Sequence, residues 1–353
     1  MTGFFETLEQ RRLFASVTAS TVTQLINAVT NANNSPGADT ITLGAGATFI
    51  FAASSDTTHG PTGLPRITDP GGLTIVGNGA TLDRSATFGC RFFDIAPGAL
   101  LTLSSLAMQN GVASSNLALD GTFTFLPAQG GAIYNEGTLT LNAVTIQNSS
   151  AQAAGGGFWG TPIATDAAGG GIYSTGALSM SGCTVRNNAA IGGYGQDGGF
   201  IYADMGGRYF PGSDGRSAFG GGVCVVGGSA SVTNSIFTAN TASGGNGGSG
   251  YGFGASAYGG NGGDGLGGAV YASGASVTLR GVSATLNTAG GGLAGRSGNG
   301  NKRYNGTPGR GIGGGIYRSG GSLLLDDFTI GNVVGNTATT SSMNIAGSYK
   351  RLR

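Results

Sequence analysis

Charge is scarce in this sequence: only 9% of its 353 residues are Asp, Glu, Lys or Arg, and the formal net charge is +1. So small a balance singles out no polyanion as the partner of the whole chain. Histidine occurs once, at His59 between Thr58 and Gly60. Cysteine occurs three times, at Cys90, Cys183 and Cys224. That odd, irregular set gives no disulfide framework and no zinc spacing. Cys183 and Cys224 stand inside apolar runs and read as small buried hydrophobes. No apolar run reaches 18 residues, so no membrane-spanning helix is expected. Signatures of a P-loop, a nucleophile elbow, a dinucleotide site or a nucleic-acid-binding motif are absent as well.

Glycine is what the chain has in excess, 73 residues, beside a 39% hydrophobic share. Over the whole chain it follows no strict Gly-X-Y period, which excludes collagen. It clusters in blocks between apolar runs, and that arrangement argues against a wholly disordered chain.

The apolar runs repeat. Five copies of Gly-Gly-x-Ile/Val-Tyr/Cys are centred on Ile133-Tyr134, Ile172-Tyr173, Val223-Cys224, Val270-Tyr271 and Ile316-Tyr317, spaced by 39, 51, 47 and 46 residues. In the first copy Leu139-Thr140-Leu141 and Val144-Thr145-Ile146 follow, then Asn148. Alternation sends Leu139 and Leu141 inward and Thr140 outward. Three strands and three turns then close one coil in roughly 20 residues, and coils stack about 4.8 Å apart. Stacking puts Tyr134, Tyr173, Tyr271 and Tyr317 in one column, with Cys224 standing in once. Asn240, Asn287 and Asn336 mark a corner, where asparagine tolerates left-handed backbone and stacked amides can form a ladder. These residues are assigned structural roles. The glycine-rich stretches 151–168, 191–219, 243–266 and 290–312 are insertions at one point of successive coils, and are expected as loops on one side.

Ile41-Thr42-Leu43 and Phe49-Ile50-Phe51 predict a first coil, and Leu73–Val76, Phe93–Ile95 and Leu100–Leu103 predict less regular later strands. Ahead of them Val22, Leu25, Ile26 and Val29 fall at i, i+3, i+4 and i+7. This predicts a helix over about 21–33, capped by Ser20 or Thr21, that covers the open end of the core. The expected class is all-β: a right-handed parallel β-helix, a solenoid with three strands per coil, an N-terminal capping helix and glycine-rich side loops. It forms one domain over 20–348, after an N-terminal segment 1–19 and before a basic tail 349–353.

The helix, the Ala38-Asp39-Thr40-Ile41-Thr42-Leu43 stretch and the Gly-Gly-x-Ile-Tyr coils resemble bacterial surface proteins of the pectin-lyase-like β-helix superfamily. The likeness is to the polymorphic-outer-membrane-protein-like and choice-of-anchor groups. Residues 4–15, Phe4 to Ala15, resemble the LEPR-XLL N-terminal segment of exported planctomycete proteins, with Gln10 where that pattern has Pro and Phe14 where it has Leu. The resemblance implies an extracellular or envelope location. It does not imply one activity, because this fold hosts lyases, hydrolases, esterases, adhesins and passive stalks.

Polysaccharide-cleaving members of that superfamily set acids and bases on outward strand positions. Here His59 reads as exposed loop, Asp94 as a solvated outward residue between Phe93 and Ile95, and Asp326-Asp327 as a turn between Leu325 and Phe328. Gly259 to Gly267 fits the Gly-Gly-x-Gly-x-Asp-x-U-x nonapeptide, which makes Asp264 a calcium candidate; no other cofactor is expected. From Arg296 onward eight Lys/Arg face two acids, a basic end suited to an anionic partner. Trp159, Tyr202, Tyr209, Tyr251, Arg303 and Arg310 are the ligand-contact candidates, for a polysaccharide or a surface protein. A monomer without nucleic-acid partners is expected. Two functions follow: a non-catalytic stalk, adhesin or carbohydrate-contacting module, or a degenerate lyase or hydrolase acting on an anionic glycan. Two or more carboxylates converging with an Arg or Lys would count against the non-catalytic one.

Overall fold

The structure is a computed structural model and describes residues 16–35, 37–117, 125–156, 164–201, 208–252, 258–298 and 304–352. Most of the regular structure is strand, and apart from two two-stranded pairs the sheets are parallel. Equivalent strands of successive repeats lie side by side. Ile133 pairs with Ile172 and Tyr134 with Tyr173; Leu139 pairs with Leu178 and Leu141 with Met180. A strand thus meets its counterpart one whole repeat away rather than after about 20 residues.

Each repeat contributes five strands where three were expected. In one repeat they are Ala167–Ala168, Ile172–Ser174, Ala177–Ser181, Thr184–Arg186 and Ala189–Ile191. The first and last flank the glycine insertions. They are two or three residues long and rich in alanine, so hydrophobic alternation could not reveal them. Their inward positions, Ala128, Ala151, Ala167, Ala190, Ala218 and Ala242, form an apolar column of their own. The other three strands bury Ile133, Leu139, Leu141, Ile146 and their counterparts in one continuous core.

Helix α1 (Val22–Asn33) packs Leu25, Ala28, Val29 and Ala32 against the end of that core. Thr21 caps it by accepting the Gln24 N–H at 3.2 Å, while Gln24 reaches back to the Ser20 N–H at 2.8 Å. The two bonds secure the helix start from both sides, the second at the residue before the cap. No helix among the described residues is long and apolar enough to cross a membrane. Ser16–Ala19 pairs with the strand Asp39–Leu43, and Lys350–Arg351 pairs with Leu324 and Leu325. In the last repeat Phe328-Thr329-Ile330 is not a strand but part of helix α2 (Asp327–Asn332). Asp326 caps that helix by accepting the Thr329 N–H, so the acidic pair starts a helix rather than making a bare turn.

The corner uses two adjacent positions, not one. The left-handed residues are Asn148, Asn187, Ala239 and Leu286, with φ of 53°, 55°, 54° and 59°. The residue after each points inward: Ser149, Asn188, Asn240 and Asn287, continued by Asn336 after the left-handed Gly335. From Asn188 to Asn336 these form a buried amide ladder, each side-chain nitrogen donating to the Oδ1 of the next at 2.9–3.0 Å. Asn240→Ala strips partners from Asn188 and Asn287 at once. It is expected to cost about 2–3 kcal/mol, read as a shift in the denaturant midpoint.

In their described residues the glycine insertions run as hydrogen-bonded arms. Outgoing arms 192–198, 244–250 and 291–297 alternate with returning arms 211–217, 258–264 and 304–310. One chain of N–H···O=C bonds runs Gly306→Gly295→Gly260→Gly248→Ser213→Gln196, at 2.8–3.1 Å. A second runs Gly309→Gly292→Gly263→Gly245→Arg216→Gly193, at 2.8–2.9 Å. On every arm the two chains are three residues apart, the periodicity of a polyproline II helix. Glycine is required at two of these positions: a Cβ on Gly248 would lie 1.8 Å from the Gln196 carbonyl oxygen, and one on Gly260 1.9 Å from that of Ser213. At Asp197, Asp214, Asn246, Asn261 and Asp264 another triplet position carries Asn or Asp, and each caps the next insertion. Asp214 accepts the Asn261 N–H, Asn261 that of Thr307, and Asp264 that of Arg310.

Candidate functional site

The tyrosine column is the outward face of the Ile-Tyr strands. Tyr134 and Tyr173 stack at 5.3 Å between centroids, and Tyr271 and Tyr317 at 5.6 Å. One step before Tyr134 the register places Asp94. An acid therefore stands where the column would begin with another ring. The segment from Asp56 to Arg66 covers it and supplies His59 and Arg66.

Asp94 is fully buried and accepts twice. His59 Nδ1 lies 2.9 Å from its Oδ2, and Arg66 Nε donates to its Oδ1 at 3.1 Å. Arg66 Nη2 also donates to Glu136 Oε2 at 2.6 Å, and the same carboxylate oxygen lies 4.0 Å from His59 Nε2. About a quarter of the His59, Arg66 and Glu136 side chains stays exposed. His59 Nδ1 therefore sits against the Asp94 carboxylate, and its Nε2 side faces that of Glu136. The His59 ring stacks on Tyr134 at 4.2 Å and so extends the aromatic column.

Arg91 lies beneath, buried, its guanidinium carbon 5.6 Å from the centre of the Tyr134 ring. It donates to the carbonyls of His59 at 2.8 Å and Gln129 at 3.0 Å, which pins the segment carrying His59. Burial lowers its pKa below the ordinary arginine value, and Asp94 opposes that shift. Burial also pushes the Tyr134 phenol up, helped by Glu136, and pushes Tyr173 up to about 12. Both are uncharged hydrogen-bonding groups at neutral pH.

His59 and Asp94 therefore depart from expectation. His59 is an anchored, half-buried ring, and Asp94 faces away from the main core yet is shielded from water by His59 and Arg66. The signal lay in the register. Once Cys90-Arg91-Phe92-Phe93-Asp94 is set against Gly130-Gly131-Ala132-Ile133-Tyr134, a lone acid stands in a tyrosine column.

The other candidates lie on the glycine insertions or outside what is described. Trp159, Tyr202 and Arg303 are outside the described residues. Tyr209 belongs to Arg208–Phe210, antiparallel to Gly199–Ile201. Tyr251 is exposed on another insertion. Arg310 and Asp264 engage each other: Asp264 Oδ1 takes the Arg310 N–H at 2.7 Å and Oδ2 the guanidinium at 2.8 Å. The nonapeptide thus serves the arm-to-arm bonding, and among the described residues no group of three or more His, Cys, Asp or Glu could hold a metal ion. All three cysteines are buried and free. No protein-family model matches this chain, and no curated protein matches it either.

Proposed function

We propose that the repeats wind as a right-handed parallel β-helix of the pectin-lyase-like kind, exported to the envelope or beyond it. We further propose that it cleaves an anionic polysaccharide lying along the tyrosine column, with His59 as the acid–base group. One observation carries this reading: Asp94 and Glu136 converge with Arg66 around a histidine whose Nδ1 is held by a buried carboxylate. That convergence weighs against a purely passive module. Both carboxylates are ion-paired to one guanidinium, so neither stands as the free proton donor that hydrolysis requires. Elimination fits better. His59 takes the proton from the carbon beside a uronate carboxyl, the C–H electrons form a C=C bond, the glycosidic C–O bond breaks, and the leaving oxygen gains a proton.

Incubation with pectin, alginate and related anionic glycans is expected to yield unsaturated, ultraviolet-absorbing ends. His59→Ala and Asp94→Asn should each slow that reaction by about 10²-fold or more. Wild-type protein that leaves every such glycan intact overturns the proposal.

A second reading, a non-catalytic adhesin or carbohydrate-contacting module, is favoured by the exposed rings of Tyr194, Tyr251 and Tyr258 on the glycine arms. Glycan binding without turnover, lost on removing those rings but not His59, is its signature.

A further inference from the structure

One inward position breaks the aliphatic pattern of the core. Register runs Asp39, Leu73, Leu101, Leu139, Leu178, so an acid heads a column that continues as leucine through the next four strands. Asp39 is only 5% exposed. Its backbone is fixed, with the N–H donating to the Gly72 carbonyl at 3.0 Å. Its carboxylate is not: Oδ2 is enclosed without a hydrogen-bond partner, and no hydrogen bond or ion pair reaches Oδ1. Asp69 and Asn135 also bury an oxygen without a partner, but each makes other side-chain bonds. A buried carboxylate with neither donor nor cation is costly.

A cavity of about 340 Å³ lies beside it, between helix α1, the strand Asp39–Leu43 and the chain at Val17. Ala28, Ala32 and Ile41 give it an apolar wall, and Asn31 and Asn34 add polar groups. Val17, Asn31 and Asn34 are exposed, so the cavity opens to solvent. The helix side is held in place by Asn33, which donates to the Arg66 carbonyl at 2.7 Å and accepts the Thr68 N–H at 2.9 Å. An apolar cavity of about 150 Å³ holds a benzene ring, so there is room here for a body larger than one ring.

The unpaired carboxylate repels an anionic ligand. Calcium asks for about six to eight oxygens, whereas this cavity has one acid and a largely aliphatic wall. An organic cation matches both halves: its N–H groups donate to a carboxylate, and its carbon body lies on aliphatic side chains. We propose that the cavity binds a small organic ammonium, whose N–H groups meet Asp39 while its carbon body packs on Ala28, Ala32 and Ile41. The site shares no residue with the His59 cluster and does not depend on the glycan reading.

Calorimetric titration of the full chain at low ionic strength tests it, with n-hexylammonium as probe and n-hexanol and n-hexanoate as its neutral and anionic counterparts. The wild type is expected to bind the ammonium at least tenfold more tightly than either. Asp39→Asn keeps the size and removes the charge. It should weaken ammonium binding at least tenfold, and without ligand it should melt at or above the wild-type temperature, because a buried unpaired charge is gone. Equal binding of ammonium and alcohol by the wild type, or no binding of the ammonium, overturns the site without recourse to any variant. A folded Asp39→Asn that binds the ammonium as the wild type does overturns it too. Calcium that raises the melting temperature of the wild type but not of Asp39→Asn would make the cavity a metal site, and overturns the proposal as well.

Discussion

An aspartate at Leu141 is expected to lower folding stability by about 4 kcal/mol, and one at Ile146 by a similar amount. Both side chains are fully buried. Leu141 lies in register between Leu103 on one side and Met180 on the other, so a carboxylate there would meet aliphatic carbon above and below with no cation to pair it. In a protein whose repeats lean only on their neighbours, such a lesion breaks the ladder at one step and uncouples the parts on either side. Thermal unfolding followed by circular dichroism reads the effect. A wild-type midpoint in either variant would show that the two residues do not point inward.

The second large effect is expected from a single methyl group. Gly248→Ala puts carbon where the Gln196 carbonyl oxygen already is, at 1.8 Å, and the same change at Gly260 collides with Ser213 at 1.9 Å. The obstacle in each case is backbone, which cannot rotate aside. Either substitution is expected to cost about 3 kcal/mol or more and to raise hydrogen exchange along the arms 211–217, 244–250 and 258–264. Gly290→Ala is the control. Nothing lies within 4 Å of its added carbon and its φ is ordinary, so it should be neutral or stabilise by about 0.4–1 kcal/mol. Equal stability of all three variants would mean that the arms do not pack through these crossings.

The parts of the molecule visible in the sequence share a property: the physics repeats with the pattern. Inward aliphatics, the tyrosine column and the α1 cap could be read because alternation and the i, i+3, i+4 spacing are set by backbone geometry itself. The strands around Ala167 and Ala189 escaped because alanine pairs give no amphipathic contrast. The corner was misplaced by one residue. Asparagine can serve as the left-handed residue or as the inward amide, and Asn187-Asn188 does both in succession. The glycine arms escaped because their three-residue period holds only within each arm and vanishes in the composition of the whole chain. The site around His59 was hardest to see. Arg66, Asp94 and Glu136 are far apart in sequence and carry no shared motif; only the pairing of Phe93–Ile95 with Ile133–Asn135 brings them together.

The three-residue spacing of the glycine arms also limits how this protein can change length. An arm that gains one or two residues turns its glycines away from the neighbouring carbonyls and its Asn or Asp away from the amide it caps. An arm that gains three restores both, provided the returning arm gains three as well. Viable insertions and deletions within the paired arms, as distinct from the stretches that join them, should therefore arrive in steps of six, three out and three back, each adding one more pair of crossings to the stack. Reach from the body of the protein is then a quantised trait, adjusted by whole triplets while the sheets beneath stay as they are.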